Sequence, residues 1–510
     1  TSAASAANDT VDEDGKVNGI MYQEGLPLVD EGDYTFSIFC DDSSESGEFI
    51  MLDEFKKQTN VDVDLKIYPY ETATERLNLD LNSGDYADVI GGWTLSDNAI
   101  LTYGVNQGVF IPLEDYFEKY CPNISAILDL PGVREKMTAP DGHIYTIPYV
   151  CADTTVGYSP YINTKWLENV GMSMPTTTDE FEAVLKAFKE QDANGNGDAS
   201  DEIPFSTDPN NKHIEAMAGY FGLPMNKLGI AIQNEKVVYG GVSDTYREFL
   251  SWFHKLYAEG LVDVELYTQD SSTWEGKGNQ DLYGVSIAYG SNEFTGIPAA
   301  EERGDFDSMP VLNTDKDGIW LRDTEGFSVY RTQAVITNKA EHPEIICRWF
   351  DNAFALENGI GCNRGPVGVI VNKEDDGYHA IDTTTLSEED QEKYSWGNLW
   401  PQSLPKYLPA DFEFVEEHPM YDEKKATEEA YEANLTKEII PSYWIDLDKI
   451  DTFSDTNTAI KDFFEQQQAQ FVCGELDIDN DADWQAYVDG MYSLGLEDWV
   501  ATQGIEEIAK

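Results

Sequence analysis

Tyr34-Thr-Phe-Ser-Ile-Phe-Cys40 is a short apolar run of buried-strand type. A polar turn over residues 41–47 follows it and leads into Phe49, Met51, Leu52 and Phe55 at helical spacing. Residues 61–67 then alternate Val61, Val63, Leu65 and Ile67 on one face, residues 72–81 read as helix, and residues 87–90 form another short strand ending in Gly91-Gly92-Trp93. Strand, helix, strand, helix, strand in one stretch predicts a mostly parallel α/β sheet. Ligands of such sheets sit beyond the carboxyl ends of the strands, which places the loop at Asp41 and Trp93 at one edge of a crevice.

Working outward, residues 112–120 and 131–137 read as helices and residues 144–149 and 155–163 as strand-rich. A second α/β pattern follows: helix over 179–190, strand over 203–206, helices over 213–221 and 244–259, and strand over 284–289. Residues 309–312 and 327–337 return to strand character, and 343–356 is an amphipathic helix. From about residue 422 the chain is mostly helical, with Ile460, Phe463, Phe464 and Phe471 at spacings of three and four. There is no internal repeat.

At 510 residues the chain exceeds what one hydrophobic core supports, so two or three domains, or two lobes with interleaved chain, are expected. The formal charge of −63, from 33 Lys and Arg against 96 Asp and Glu, excludes a phosphate-backbone binder and repels anionic lipid. Six cysteines without a Cys-x-x-Cys pair are too sparse for a disulfide scaffold and read as buried thiols. No apolar run approaches the ~18 residues of a membrane span, and the chain reads as soluble. Its first residues, Thr-Ser-Ala-Ala-Ser-Ala-Ala-Asn-Asp-Thr10, are small and polar and look like a tether left after removal of an export signal.

Asp192-Ala-Asn-Gly-Asn-Gly-Asp-Ala-Ser-Asp-Glu-Ile-Pro204 constrains ligand chemistry more than any other stretch. Oxygen-bearing Asp192, Asn194 and Asn196 alternate, with Gly197 at the sharp turn, as in the first half of an EF-hand calcium loop. Its twelfth position is Ile203, so Asp198, Asp201 and Glu202 must complete the oxygen set. The alternative is a solvated Asn/Gly/Asp turn without metal.

Catalytic motifs are missing: there is no Gly-x-Ser-x-Gly elbow, no phosphate loop and no His-x-x-x-His spacing. Gly359-Ile-Gly-Cys-Asn-Arg-Gly365 follows a helix and reads as a helix stop rather than a dinucleotide fingerprint. With 96 carboxylates, acid pairs of glycosidase type carry no information. The aromatics, 11 Trp, 28 Tyr and 23 Phe, carry more. Sugars present flat C–H faces to aromatic rings and hydroxyls to polar groups. Trp93, Tyr289, Trp396 and Trp400 fall in or beside Gly-, Ser-, Asn- or Pro-rich loops that suit stacking, although each could equally be half-buried packing. Trp166, Trp252, Trp349 and Trp484 sit in helical patterns and read as core.

Five segments together resemble the extracytoplasmic solute-binding proteins of carbohydrate ABC importers. They are 49–92 with Ala87-Asp-Val-Ile-Gly-Gly92; Asp141-Gly-His-Ile-Tyr-Thr-Ile-Pro-Tyr149; Tyr161-Ile-Asn-Thr-Lys-Trp-Leu167 with Pro175-Thr-Thr-Thr-Asp-Glu-Phe181; 335–355; and 471–503. The resemblance implies an α/β, two-lobed periplasmic-binding-protein-like fold, each lobe a mostly parallel sheet flanked by helices, with a helical C-terminal region and ligand between the lobes. On it, 1–31 is a flexible tether, 32–152 with 306–362 the first lobe, 156–304 with 395–510 the second lobe carrying the calcium loop, and 363–394 a crossover and insertion. The chain also looks like the long alginate-oligosaccharide binders, whose calcium loop has the form found at Asp192, here one residue longer before Asp201 and Glu202. Similarity to maltodextrin binders places Asp41, Trp93, Asp208, Tyr289, Asn292, Arg364, Trp396 and Trp400 as ligand-binding residues. The implied protein is a monomeric, lipid-anchored extracellular receptor with structural Ca2+. It hands an oligosaccharide to a membrane permease and catalyses nothing. Rival readings are a carbohydrate-active enzyme, a peptide receptor of the same fold, or an adhesion module.

Overall fold

The structure is a computed structural model that describes residues 9–42, 48–208, 213–296, 305–409, 412, 414–415 and 419–509. It divides into two compact units with interleaved chain.

The first unit comprises Thr1–Ala152, Gly326–Glu416 and Trp444–Ile450. Its five-stranded sheet runs in the order Val61–Tyr68, Tyr34–Asp41, Val89–Gly91, Phe327–Ile336, Thr146–Ala152. The first three strands are parallel, with Tyr34 opposite Val61 and Cys40 opposite Gly91. Phe327–Ile336 runs antiparallel to both of its neighbours. Phe36, Ile38 and Cys40 are buried on one face of the strand and Phe39 and Asp41 on the other, so its carboxyl-terminal half is covered on both faces. Helix Ile50–Thr59 covers one face with Met51 and Phe55, and Asn60 ends it in the left-handed conformation before the next strand begins. Helix Pro343–Ala353 contributes Trp349, which stacks on Trp400 at 5.6 Å.

Residues 9–31 are not a tether. Val17, Met21, Leu28 and Val29 are buried in the first core, Lys16–Val17 pairs with Met21–Tyr22, and the Arg348 guanidinium donates to the Gly25 carbonyl at 2.8 Å. Four well-spaced apolar side chains suffice to dock the segment, and the polar composition hid them. Residues 1–8 of the expected tether lie outside the described residues.

The second unit comprises Asp153–Glu325, Glu417–Tyr443 and Asp451–Lys510. Its main sheet runs Phe306–Ser308, Ser159–Asn163, Tyr283–Ala288, Ile203–Thr207, with only the last two strands parallel. Both sheets are therefore mixed within the expected α/β class. Helix Thr178–Glu190 starts where Thr177 accepts the Glu180 N–H at 3.2 Å, while the Glu180 carboxylate reaches back to the Thr176 N–H at 2.8 Å. Its Phe181, Val184, Leu185 and Phe188 enter a core that also takes Phe464 and Phe471 from the 24-residue helix Ile450–Cys473. The helix expected over 213–221 is wound as a 3-10 helix, Ile214–Phe221.

Three boundaries differ from those the sequence implied. Residues 306–325 belong to the second unit, because strand Phe306–Ser308 pairs with Ser159–Asn163. Residues 363–416 belong to the first, where Trp400 and Leu404 fill its core and Tyr407 bridges to Val150. Residues 444–450 return to the first unit, and the Trp444 indole N–H donates to the Lys136 carbonyl at 3.1 Å. Non-local pairings of this kind leave no local signal in sequence. Of the helical tryptophans, Trp166, Trp349 and Trp484 are core and Trp252 is half-buried against it.

Candidate functional site

In the first unit, the carboxyl ends of Tyr34–Asp41 and Val89–Gly91 lie side by side. Asp41 is fully buried there, and its carboxylate accepts the Trp93 N–H at 3.0 Å and the Thr94 N–H at 2.6 Å. Burial pushes the Asp41 carboxyl up, and those hydrogen bonds work in the opposite direction. Gly92, at φ 134°, makes the turn possible, since a Cβ at that position would collide with the Asp41 carboxylate. The result is an indole presented at the strand edge, 46% exposed. It stands edge-on to Tyr330 at 5.2 Å and to Tyr149 at 6.4 Å, and those two rings stack on one another at 5.5 Å. Tyr149 and Tyr330 were not singled out from sequence. Both lie on strands, where an aromatic reads equally well as core.

The eight expected ligand residues separate here. Trp93 is at the surface, but Asp41 is a buried support for it, with no surface left for ligand. Trp400 is also corrected: it is fully buried against Trp349 and Phe55. Trp396, four residues earlier, is 57% exposed, with the Lys406 ammonium 5.5 Å above its ring. Arg364 closes helix Leu356–Arg364 half-buried, donates to the Asn363 carbonyl at 3.2 Å, and is close enough to Tyr149 to interact electrostatically.

In the second unit, Asp208 follows strand Ile203–Thr207 and Tyr289 follows the parallel strand Tyr283–Ala288, so both emerge at one carboxyl edge. Asp208 accepts the Ser271 hydroxyl at 2.7 Å. The Tyr289 hydroxyl donates to Asp153 at 3.2 Å, and the Lys424 ammonium lies 3.7 Å from its ring centroid. Asn292 begins the short helix Asn292–Thr295 immediately afterwards. Tyr158, edge-on to Tyr289 at 6.1 Å, stacks on His213 at 3.9 Å. The His213 Nε2 is buried without a hydrogen-bond partner, and burial pulls its pKa down to about 4. Tyr158 and His213 fall inside segments read from sequence as strand-rich and helical, and carried no motif of their own. A groove of about 710 Å³ along helix Asp244–Ala258, lined by Arg247, Trp252 and Lys255 among others, contains none of these residues.

The loop at Asp192 joins helix Thr178–Glu190 to strand Ile203–Thr207. Successive side-chain oxygens wind it: Asp192 accepts the Gly197 N–H at 3.0 Å, Asn194 the Asn196 N–H at 3.0 Å, and Asn196 the Asp198 N–H at 2.7 Å. Gly195 and Gly197 supply the positive φ the winding requires. Asp201 accepts the amide groups of Asn194 at 3.3 Å and Asn196 at 2.7 Å, while Asp198 turns to the Ser200 hydroxyl at 2.6 Å. Ala193 is buried, and its carbonyl accepts the Asn169 amide at 2.8 Å. The Asp192 Oδ1 and Glu202 Oε2 are buried and receive no hydrogen bond. Such atoms are costly unless a cation meets them, so this all-oxygen set fits a hard divalent ion. The five residues of the strand put the loop roughly 17 Å from Asp208, outside bonding reach of a shared ligand.

Two mixed α/β units, each offering aromatic rings and hydroxyl-bonding groups at the carboxyl ends of its parallel strands, define a ligand-binding protein. Residues 48–359 match the family described as bacterial extracellular solute-binding protein, and the chain belongs to that family. It is 32% identical over 379 residues to the fructooligosaccharide ABC transporter substrate-binding protein FusA of Streptococcus pneumoniae serotype 4, covering 72% of this chain and 68% of FusA. It is 28% identical over 280 residues to the lipoprotein LipO of Bacillus subtilis, covering 53% and 52% of the two chains. Among solved structures, FusA in complex with kestose superposes with a TM-score of 0.79 at 26% identity, and a FusA EF-hand mutant in complex with fructo-nystose with 0.78 at 27%. Each alignment covers 92% of this chain and 98% of FusA. The alginate-binding protein AlgQ2 without calcium ion shares the fold, with a TM-score of 0.75 at 22% identity over 94% of this chain and 99% of that one. Among the described residues no helix is long and apolar enough to cross a membrane.

Proposed function

We propose that this chain is the oligosaccharide receptor of an ABC importer, delivering its ligand to a membrane permease and catalysing no reaction. The observation that carries the reading is Trp93: a tryptophan nearly half exposed, braced by two stacked tyrosines and fixed by a buried carboxylate at the carboxyl edge of parallel strands in a mixed sheet. An indole held this rigidly suits the C–H face of a sugar and loses little entropy when the sugar docks. Tyr289, Asp208 and Asn292 give the second unit a comparable edge, and the similarity to the fructooligosaccharide-transporter protein FusA supports the substrate class.

The loop at Asp192 holds a structural calcium ion, with Asp192, Asn194, Asn196, Asp198, Asp201 and Glu202 as its oxygen set. Support comes from the two orphaned carboxylate oxygens and from the similarity to FusA, which has an EF-hand. The ion supplies charge to those oxygens. The strand Ile203–Thr207 that the loop begins then carries Asp208 to the candidate ligand edge. A lipid anchor and a monomeric state complete the proposal, the first supported by LipO.

Titration calorimetry of the intact protein with neutral oligosaccharides and with oligopeptides tests the receptor reading. Saccharide binding without release of reducing sugar is expected. Binding to peptides alone, or turnover of the sugar, overturns it.

A further inference from the structure

Carboxylates crowd the Tyr289 edge of the second unit. Asp208 lies beside helix Ser271–Asn279 through its bond to Ser271, and Glu275, one helical turn beyond Ser271, is close enough to Asp208 for their charges to interact. Glu293 accepts the Tyr289 N–H at 2.9 Å and faces the charges of both Asp208 and Glu275. Three chain segments thus bring acidic groups to a single strand edge.

The neighbouring cations offset them only in part, Lys424 acting on Glu293. Lys424 is 7% exposed and already committed: its ammonium donates to the Gly157 carbonyl at 3.0 Å, lies over the Tyr289 ring, and faces Glu423, Glu293, Asp153 and Glu428. His213 is neutral at ordinary pH. Lys227 is exposed and adds only a solvated charge near His213.

Ionised carboxylates accept hydrogen bonds and donate none. A neutral sugar supplies hydroxyl donors to such groups. A uronate or sulfated sugar brings its own acceptors and meets like charge in a partly desolvated edge, where it is weakly screened.

We infer that Asp208, Glu275 and Glu293 are specificity-determining residues that restrict this receptor to neutral oligosaccharides and exclude anionic ones. The inference rests on the oligosaccharide reading above and goes beyond it by fixing the charge class of the ligand and the residues that impose it.

The test titrates the intact protein with kestose-type and malto-type neutral oligosaccharides and with oligogalacturonates of matched length, at low and at high salt. Neutral binding with oligogalacturonates at least ~100-fold weaker is expected, the gap narrowing as salt rises. Glu275→Gln, at an exposed position and with its fold checked by melting temperature, should narrow the gap by about 5-fold at low salt; Asp208→Asn combined with it should narrow the gap further. Oligogalacturonates binding as tightly as neutral sugars overturn the inference and leave the oligosaccharide reading standing. A wild-type gap that neither variant moves overturns the assignment to these residues. Failure of every saccharide to bind overturns both readings.

Discussion

The Asp41 carboxylate accepts the backbone N–H of Trp93 at 3.0 Å, so a fully buried acid of the first unit holds a half-exposed aromatic in place. The two residues should respond differently to truncation. Trp93→Ala removes a half-exposed ring and should leave the melting temperature within about 2 °C, while sugar affinity falls about 10-fold or more. Asp41→Ala strips two backbone N–H groups of their acceptor and should cost about 1.5–3 kcal/mol of stability as well as affinity. Paired calorimetry and thermal melts separate the outcomes. A collapse of stability in Trp93→Ala would show that its ring is packing and not a platform.

Much of this was legible in the sequence, and what was not has physical causes. Strand, helix and turn signals around Tyr34 and Trp93 are local, so the first sheet and the edge that carries Trp93 could be read directly. Alternation of Asp192, Asn194 and Asn196 is likewise local chemistry. Trp400 misled because a Pro- and Ser-rich surrounding says nothing of the Trp349 and Phe55 rings that close over it from elsewhere in the chain. Tyr330 was invisible for the converse reason: its strand alternation is right for burial, and only the neighbouring turn at Trp93 makes it a brace. Asp41 was placed at the correct edge with the wrong task, since sequence cannot tell a carboxylate aimed at ligand from one consumed by backbone.

Calcium removal gives a second prediction. A ligand that binds only the folded chain stabilises it by RT ln(1 + [L]/Kd), about 4 kcal/mol at a thousandfold excess over Kd. Chelator should therefore lower the melting temperature by several degrees, and added calcium should restore it. Glu202→Gln and Asp192→Asn, which neutralise the two orphaned oxygens, should melt at the same temperature with and without calcium. An unchanged wild-type melt in chelator, with no metal by elemental analysis, would remove the ion from this loop.

Stability should depend on pH through Asp351. Burial pushes its carboxyl up to about 6, against hydrogen bonds from the Ile124 N–H at 2.7 Å and the Asn123 amide at 2.9 Å. An acid whose folded pKa lies above its unfolded value near 3.8 contributes stability in full below pH ~4 and loses it as pH rises through about 6. The stability of wild type minus Asp351→Asn should therefore fall by up to about 3 kcal/mol between pH 4 and 7, a difference in which the opposite contribution of His213 cancels. Denaturant melts across that range measure it. A difference that stays flat or rises would show that Asp351 is not held protonated.

Trp396 and Trp400 make the sharpest contrast, because four residues separate an indole that is 57% exposed from one with no exposure. Trp400 stacks on Trp349, touches Phe55, and donates its indole N–H to the Leu404 carbonyl at 3.3 Å. Trp400→Ala opens a cavity in the first core and should cost about 3–5 kcal/mol. Trp396→Ala has no such cavity to open: it releases the Lys406 ammonium from a cation–π contact and should change stability by less than about 1 kcal/mol. Any loss of sugar affinity in Trp396→Ala at unchanged melting temperature places Trp396 in the binding surface. Unchanged affinity instead removes it, and leaves Trp93 as the first unit's stacking ring. Denaturation midpoints and calorimetric titrations of the two variants, run side by side, decide both points.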